Sequence, residues 1–202
     1  MKLFTKRNQI KYTLFFSIFL SIIILYGIFV YVKNNIAVNV PKHILSNILT
    51  PGKYKGTGYY SPTDHYPDGL KTKLFMNITK HDSQTISVVN VDAYNAKTGK
   101  LEYSGVRKSN FDYKPNHDLN VFKNSNSYID NKLVSSSHGK VIKASNNSIV
   151  IRSDGSWHTS SHEHDIINKI EKKEDKVYST FYNTGIIPFY QNHTMKETYT
   201  KI

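Results

Sequence analysis

The sequence predicts an all-β domain, an antiparallel barrel of about eight to ten strands, behind one N-terminal transmembrane helix. Three observations carry this expectation. Residues 12–32, YTLFFSIFLSIIILYGIFVYV, hold no charge. Beyond residue 50 no ten-residue segment keeps a helical period, while apolar and polar residues alternate in run after run. Turn-forming clusters separate those runs every ~10–14 residues, the spacing of a meander, sandwich or barrel.

The apolar run comes first. As a helix it spans roughly 31 Å, about one bilayer core. Lys2, Lys6, Arg7 and Lys11 precede it with no acid, and only Lys33 and Lys42 follow it before residue 50. The positive-inside rule therefore makes residues 1–11 a cytoplasmic tail and places the rest across the membrane. A cleaved signal peptide would have a shorter apolar core and a small-residue cleavage site. Neither is present here, so residues 12–32 are expected to remain as a signal anchor in the cell inner membrane. The later domain would be extracellular or, in a Gram-negative host, periplasmic. With no cysteine in the chain, disulfides, thiolate metal sites and lipoprotein processing are excluded.

The net charge is +12, but only Arg7, Arg107 and Arg152 of the 27 basic residues are arginine. Readers of phosphates and base edges favour arginine's planar fork, so the composition disfavours nucleic acid as a partner. Attraction to an anionic membrane surface remains consistent with the charge.

Residues 33–50 read as a stalk and a short helix. The stalk is polar and ends at Pro41. KHILSNIL (42–49) then sets Ile44, Leu45, Ile48 and Leu49 on one helical face, and Pro51 and Gly52 stop it. The β-domain covers residues 51–202. In it Leu74, Met76 and Ile78 share a face. Ile86 and Val88 share a face before the apolar set moves to Val89, Val91 and Ala93, the shift a β-bulge produces. Leu101, Tyr103, Gly105, Phe111 and Tyr113 share one parity, and Val177 and Phe181 another. In the last strand Ile187, Phe189, His193, Met195 and Tyr199 form one face and Asn192, Thr194, Lys196 and Thr198 the other. A barrel would pair this strand with the first, removing the sheet edges. The expected turns are Pro67–Gly69, Lys97–Lys100, Lys114–Asn116, Ser145–Asn147, Asp154-Gly155 and Glu174-Asp175.

Gly52-Lys53-Tyr54-Lys55-Gly56-Thr57-Gly58 resembles the first strand of lipocalin-like (calycin) barrels, and most nearly that of the nitrobindin group, G-x-W-x-G-x-G, with Tyr54 in place of Trp. Tyr94, Thr98-Gly99-Lys100 and Gly105-Val106-Arg107 resemble a hairpin of the same group, one residue short. The resemblance implies a ligand-holding barrel, and it puts His193 where nitrobindins carry a haem-ligating histidine. Read from the residues alone, Gly56 and Gly58 clear one face of the strand, for curvature or for close approach of a neighbour.

Candidate interior residues are Tyr54, Arg107, His193 and Glu197. The last three have the parity of their strands' apolar sets, and a polar group on an inward face must be paired, hydrated or in contact with a ligand. His158, His162 and His164 would share a face if extended. Glu163 and Asp165 point the other way, so the run lacks a positioned set of ligands and no high-affinity zinc site is expected. No H-E-x-x-H, G-x-S-x-G or phosphate-binding loop occurs: AKTGKL lacks the first glycine and the final Ser/Thr. No catalytic residues and no resident cofactor, haem included, are therefore expected. The leading expectation is non-enzymatic binding of a small apolar or amphiphilic ligand inside the barrel. The alternative is an envelope-assembly or secretion component whose β-domain meets protein partners. An apolar-lined cavity favours the first and a filled core the second.

Overall fold

Period-two alternation forces each strand to bury one face, and a meander of such strands can bury all of them only by curling closed. The computed structural model describes residues 3–63, 65–82, 84–114, 117–157, 164–183 and 194–202. They form two units, Met1–Ile36 and Ala37–Ile202.

The first unit is one helix, α1 (Leu3–Asn35). Its stretch Tyr12–Val30, 19 residues with mean hydropathy 2.5, is long and apolar enough to cross a membrane. The side chains in that stretch are exposed.

The second unit opens with α2 (Lys42–Ile48) and continues as β1 (Gly52–Tyr60), β2 (Leu70–His81), β3 (Gln84–Asn95), β4 (Leu101–Lys114) and β5 (His117–Ile129). It ends with β6 (Lys132–Ser145), β7 (Ser148–Trp157), β8 (His164–Lys173), β9 (Lys176–Asn183) and β10 (Thr194–Lys201). Each strand pairs antiparallel with the next, and β1 pairs with β10, so the sheet closes as a ten-stranded barrel. The closing ladder runs from Tyr54 opposite Lys201 to Tyr60 opposite Met195. The expected marriage of first and last strands is thus present, as is the inward parity of Tyr103, Arg107 and Phe111 on β4 and of Glu197 and Tyr199 on β10.

Turn chemistry accounts for the register. Gly69 and Gly99 take positive φ at two of the expected turns, and Glu174 does so between β8 and β9. Asp130 and Asn131, both at positive φ, make a two-residue hairpin loop between β5 and β6 whose twist matches the strands it joins.

Three expectations are corrected. The apolar shift in β3 is not a bulge: Thr85, Ser87, Val89, Val91 and Ala93 face inward without a break, and Ile86 and Val88 lie half-buried on the outer face. The register of that strand slips only at Ala93/Tyr94. Asp154-Gly155 is not a turn, because both residues are paired on two sides, with His138 and Ser137 of β6 and with Asp165 and His164 of β8. Finally, the end of the stalk packs as part of the barrel unit. Val38 donates its backbone N–H to Val141, 3.0 Å away, and Val40 is fully buried.

α2 is too short to be stable alone, and no side chain caps its start. Packing holds it. Ile44, Leu45 and Ile48 are buried against the core of the barrel, with β7 and β8 nearest. Asn47 donates to the Asn146 carbonyl at 3.0 Å, Lys80 to Ser46 Oγ at 2.9 Å, and Lys172 to Thr50 Oγ1 at 3.1 Å. These partners lie where β1 and β7 begin and β2, β6 and β8 end, so α2 covers that end of the barrel.

Candidate functional site

Below α2 the interior is filled by Ile78, Val121, Val141, Ile149, Ile151 and their neighbours. Toward the opposite end the inward positions change to Ser125, Ser127, Ser137, Ser153, Gly155 and Asn168. These side chains are too small to meet across the barrel, and a cavity of about 340 Å³ remains. Leu70, Val91, Tyr103, Ile166, Phe181 and Met195 give it apolar walls. Its size and mixed lining are those of a small-molecule site.

At the boundary between the packed and hollow parts lies a polar cluster. Arg107 reaches from β4 to Glu197 on β10 and binds it with both nitrogens, Nη1 to Oε1 at 3.1 Å and Nη2 to Oε2 at 2.6 Å. Tyr60 donates to Oε1 at 3.0 Å and Tyr199 to Oε2 at 2.8 Å. Arg107 Nη2 also donates to the Tyr199 hydroxyl, 3.1 Å away. The carboxylate therefore accepts four hydrogen bonds and has no exposed surface. Such a pair persists in an interior because every lone pair is used. Burial pushes the Tyr60 and Tyr199 hydroxyls well above the usual tyrosine range, and the adjacent Glu197 charge pushes the same way. Burial, the largest single influence, lowers Arg107, but the Glu197 carboxylate together with the Tyr199 and Tyr60 hydroxyls outweighs it and holds the guanidinium charge more firmly than usual.

The glycines of β1 make this cluster possible. A Cβ at Gly56 would lie 2.8 Å from the Tyr199 ring, and one at Gly58 would lie 2.6 Å from Thr72 Oγ1 and 3.2 Å from Glu197 Cγ. Of the two roles open to these glycines, close approach by a neighbour is the one seen: they clear the space that Tyr199 and Glu197 occupy.

Of the sequence-derived candidates, Arg107 and Glu197 come together, with Arg107 on the cavity wall and Glu197 behind it. Tyr54 is interior but not on the cavity. It is buried in the packed end, and its hydroxyl donates to the Thr50 carbonyl at 2.7 Å. His193, His158 and His162 lie outside the described residues. Of His164 the structure gives the strand position, opposite Gly155. No cluster of three His, Asp or Glu residues able to hold a metal occurs among the described residues. The position that the resemblance links to haem, His193, is among the residues not described, so only the rest of the interior is seen. It presents Arg107 and Lys123 to the cavity, and the only described histidine on the lining, His65, is exposed at the rim.

Three wall residues, Lys123, Tyr60 and Tyr103, were not among the sequence-derived site candidates, although the parity of Tyr103 was read as inward. Lys123 on β5 is buried, its ammonium 5.4 Å from the centroid of Phe181 and 6.0 Å from that of Phe111. Tyr60 and Tyr103 line the same space. Lys123 had one available signal: it shares parity with Val121 in the run VFKNSNS. Burial, and then the nearby Arg107 charge, lower its amine to about 7.

No protein-family model matches the chain, and no curated protein sequence matches it. Among solved structures it is similar to Rv2717c from M. tuberculosis, with 9% identity, a TM-score of 0.52, and 81% of this chain and 99% of that one covered. EF1p2_mFAP2b bound to DFHBI also matches, with 9% identity and a TM-score of 0.41 over 80% of this chain and 100% of that one. At such identity the likeness to Rv2717c is one of fold alone, shared with the closed antiparallel barrel of this domain.

Proposed function

We propose that this protein is a membrane-anchored binding protein that holds a small apolar or amphiphilic ligand inside its barrel and performs no catalysis on it. The observation that carries this function is the cavity: about 340 Å³, closed on one side by packed core, with apolar walls and a few placed polar groups. Residues 12–32 would tether the barrel, with the N-terminus in the cytoplasm and the barrel on the outer side of the inner membrane. No resident metal or haem forms part of the proposal. The first-strand glycine pattern supports kinship with the nitrobindin group within the lipocalin-like barrels, in a member that uses its interior differently.

The test is native mass spectrometry of the full chain, extracted from the membranes of its own host. A non-covalent mass released on unfolding is expected. Phe181→Trp, which fills part of the cavity, should reduce the liganded fraction by at least about tenfold while the barrel stays folded. A ligand-free chain, or one whose ligand survives Phe181→Trp unchanged, overturns the proposal. Recovery of a soluble form beginning near residues 35–40 would overturn the anchor separately.

A further inference from the structure

The charges on the cavity wall are not balanced at the wall. Arg107 and Lys123 both face the cavity, and both lie over the same ring, that of Phe181, at 5.1 and 5.4 Å from its centroid. No aspartate or glutamate lies on the described lining. Glu197 neutralises Arg107 from behind, with no exposed surface. Lys123 has no carboxylate partner among the described residues, although only 5% of its surface is exposed.

An ammonium buried without a paired carboxylate is costly, and burial and then the Arg107 charge weaken its hold on its proton more than the Glu197 charge strengthens it. The physical remedy is an anion from outside the chain. Beside Lys123 the wall carries hydroxyls that can donate to such a group: Ser125, whose own partner is Ser109 at 2.8 Å, with Ser127, Ser137 and Ser153 farther along the same side. Away from them the wall is apolar, formed by Leu70, Val91, Tyr103 and Met195.

Building on the ligand-binding function above, we propose that the ligand is a single-chain amphiphile with an acidic head, the head held by Lys123 Nζ and the cavity-facing edge of Arg107, and the tail lying on the apolar wall. The Arg107–Glu197 pair serves as the fixed part of the site. Lys123 is the part that gains a partner when the ligand enters. An alcohol of the same length would leave Lys123 without a counter-charge, and an amine would add a third cation.

The test uses the full chain in detergent, incubated with equal amounts of dodecanoate, dodecyl phosphate, dodecanol or dodecylamine, and read by native mass spectrometry. Wild type, Lys123→Met and Lys123→Arg share one detergent, so partitioning into micelles cancels between them. Wild type should retain at least one of the two acids over dodecanol by about tenfold or more, the size of one charge-assisted hydrogen bond. Which acid it retains separates a carboxylate head from a phosphate head. Lys123→Arg should keep the preference. Lys123→Met should lose it while still retaining dodecanol at the wild-type level, which also shows that the variant is folded. Equal retention of all four probes, or a preference for the amine, overturns the acidic head and leaves the binding function standing. A preference that survives Lys123→Met overturns the role of Lys123. Retention of none of the four removes the binding function itself.

Discussion

The two ends of the barrel are built from the same ten strands, yet one is packed and the other hollow. The difference lies in side-chain volume along each inward face. On β7 the series runs Ile149, Ile151, Ser153, Gly155, and on β5 it runs Val121, Lys123, Ser125, Ser127. On β6, read from the same end, it runs Val141, Gly139, Ser137, Ser135. β6 and β7 change from branched apolar to Gly139 and Ser153 at one height, where β5 places Lys123, and one inward row farther on all three strands are small, with Ser125, Ser137 and Gly155. The packed end gains the burial and close contact that stabilise a domain. The hollow end forgoes both, and its strands are held by ladder hydrogen bonds and by the Arg107–Glu197 cluster at the boundary. A protein under selection for stability alone would fill that volume, and this is the ground for the binding function proposed above.

The contrast can be broken most severely at the boundary. Glu197→Gln removes the charge that compensates Arg107 and leaves a guanidinium buried without it. A loss of roughly 3–5 kcal/mol is expected, the usual result of breaking one side of a buried pair. Guanidinium unfolding followed by circular dichroism measures it. A loss below about 1 kcal/mol would show that water reaches Arg107 and that the boundary is part of the hollow end. In the packed end Ile151→Ala should cost about 2–4 kcal/mol, because the void cannot collapse among Val121, Val141 and Ile149. In the hollow end Ile166→Ala, on the cavity wall, should cost less than half as much, since it enlarges a space that already exists. Equal losses at the two positions would remove the distinction between the ends.

Much of this architecture was legible in the sequence, and the failures have physical causes. The closing strand was legible because Glu197 and Tyr199 alternate with Lys196 and Thr198, and the barrel needs a partner for β1. Arg107 and Glu197 were legible as interior by parity, although nothing in one dimension says that they meet. Asp154-Gly155 misled because Asp-Gly favours turns locally. Strands on both sides override that preference, and the glycine instead sits where Ser137 crosses closely: its Cβ would lie 2.9 Å from that side chain. Ile86 and Val88 misled because β-branched residues suit either face of a strand. The cavity was not legible at all, because it depends on the small residues of three strands lying at one height, which is a matter of register.

Lys123 offers a way to sharpen the comparison by pH. Its folded value, about 7, is below the ordinary lysine value of 10.5. Below pH 7 the amine is charged in both states, and the folded state carries the full penalty of burying that charge. Between pH 7 and 10.5 the unfolded chain still binds the proton and the folded chain has released it, so unfolding takes up a proton and stability rises with pH. From pH 7 to 9 this group should add roughly 2 kcal/mol to the wild type relative to Lys123→Met, whose stability lacks the contribution. Paired unfolding curves at the two pH values measure it. Parallel pH dependence in the two proteins would place the amine in water and deny the hollow end its uncompensated cation.

The smallest expected effect is the most local. Tyr113 is on β4, on the inward face toward the α2 end, with its ring beside the Lys42 ammonium at 5.8 Å. Its hydroxyl is buried and has no hydrogen-bond partner among the described residues, in contrast to the hydroxyls of Tyr60 and Tyr199 at the boundary, which both donate to Glu197. Burial pushes it up to about 12. A buried hydroxyl without a partner has lost its water and gained nothing in return, so deleting it removes a penalty while the ring keeps its packing. Tyr113→Phe should therefore change stability by less than about 1 kcal/mol, with the sign toward stabilisation, and should leave ligand retention untouched. Tyr199→Phe, the same chemical change at the boundary, removes a donor to Glu197 and a group that Arg107 binds, and should destabilise by about 1–3 kcal/mol. Unfolding midpoints of the two variants, measured side by side, decide the matter. If Tyr113→Phe proves the more harmful, its hydroxyl has a partner in the folded protein, and the packed end is not the dry core that distinguishes it from the hollow one.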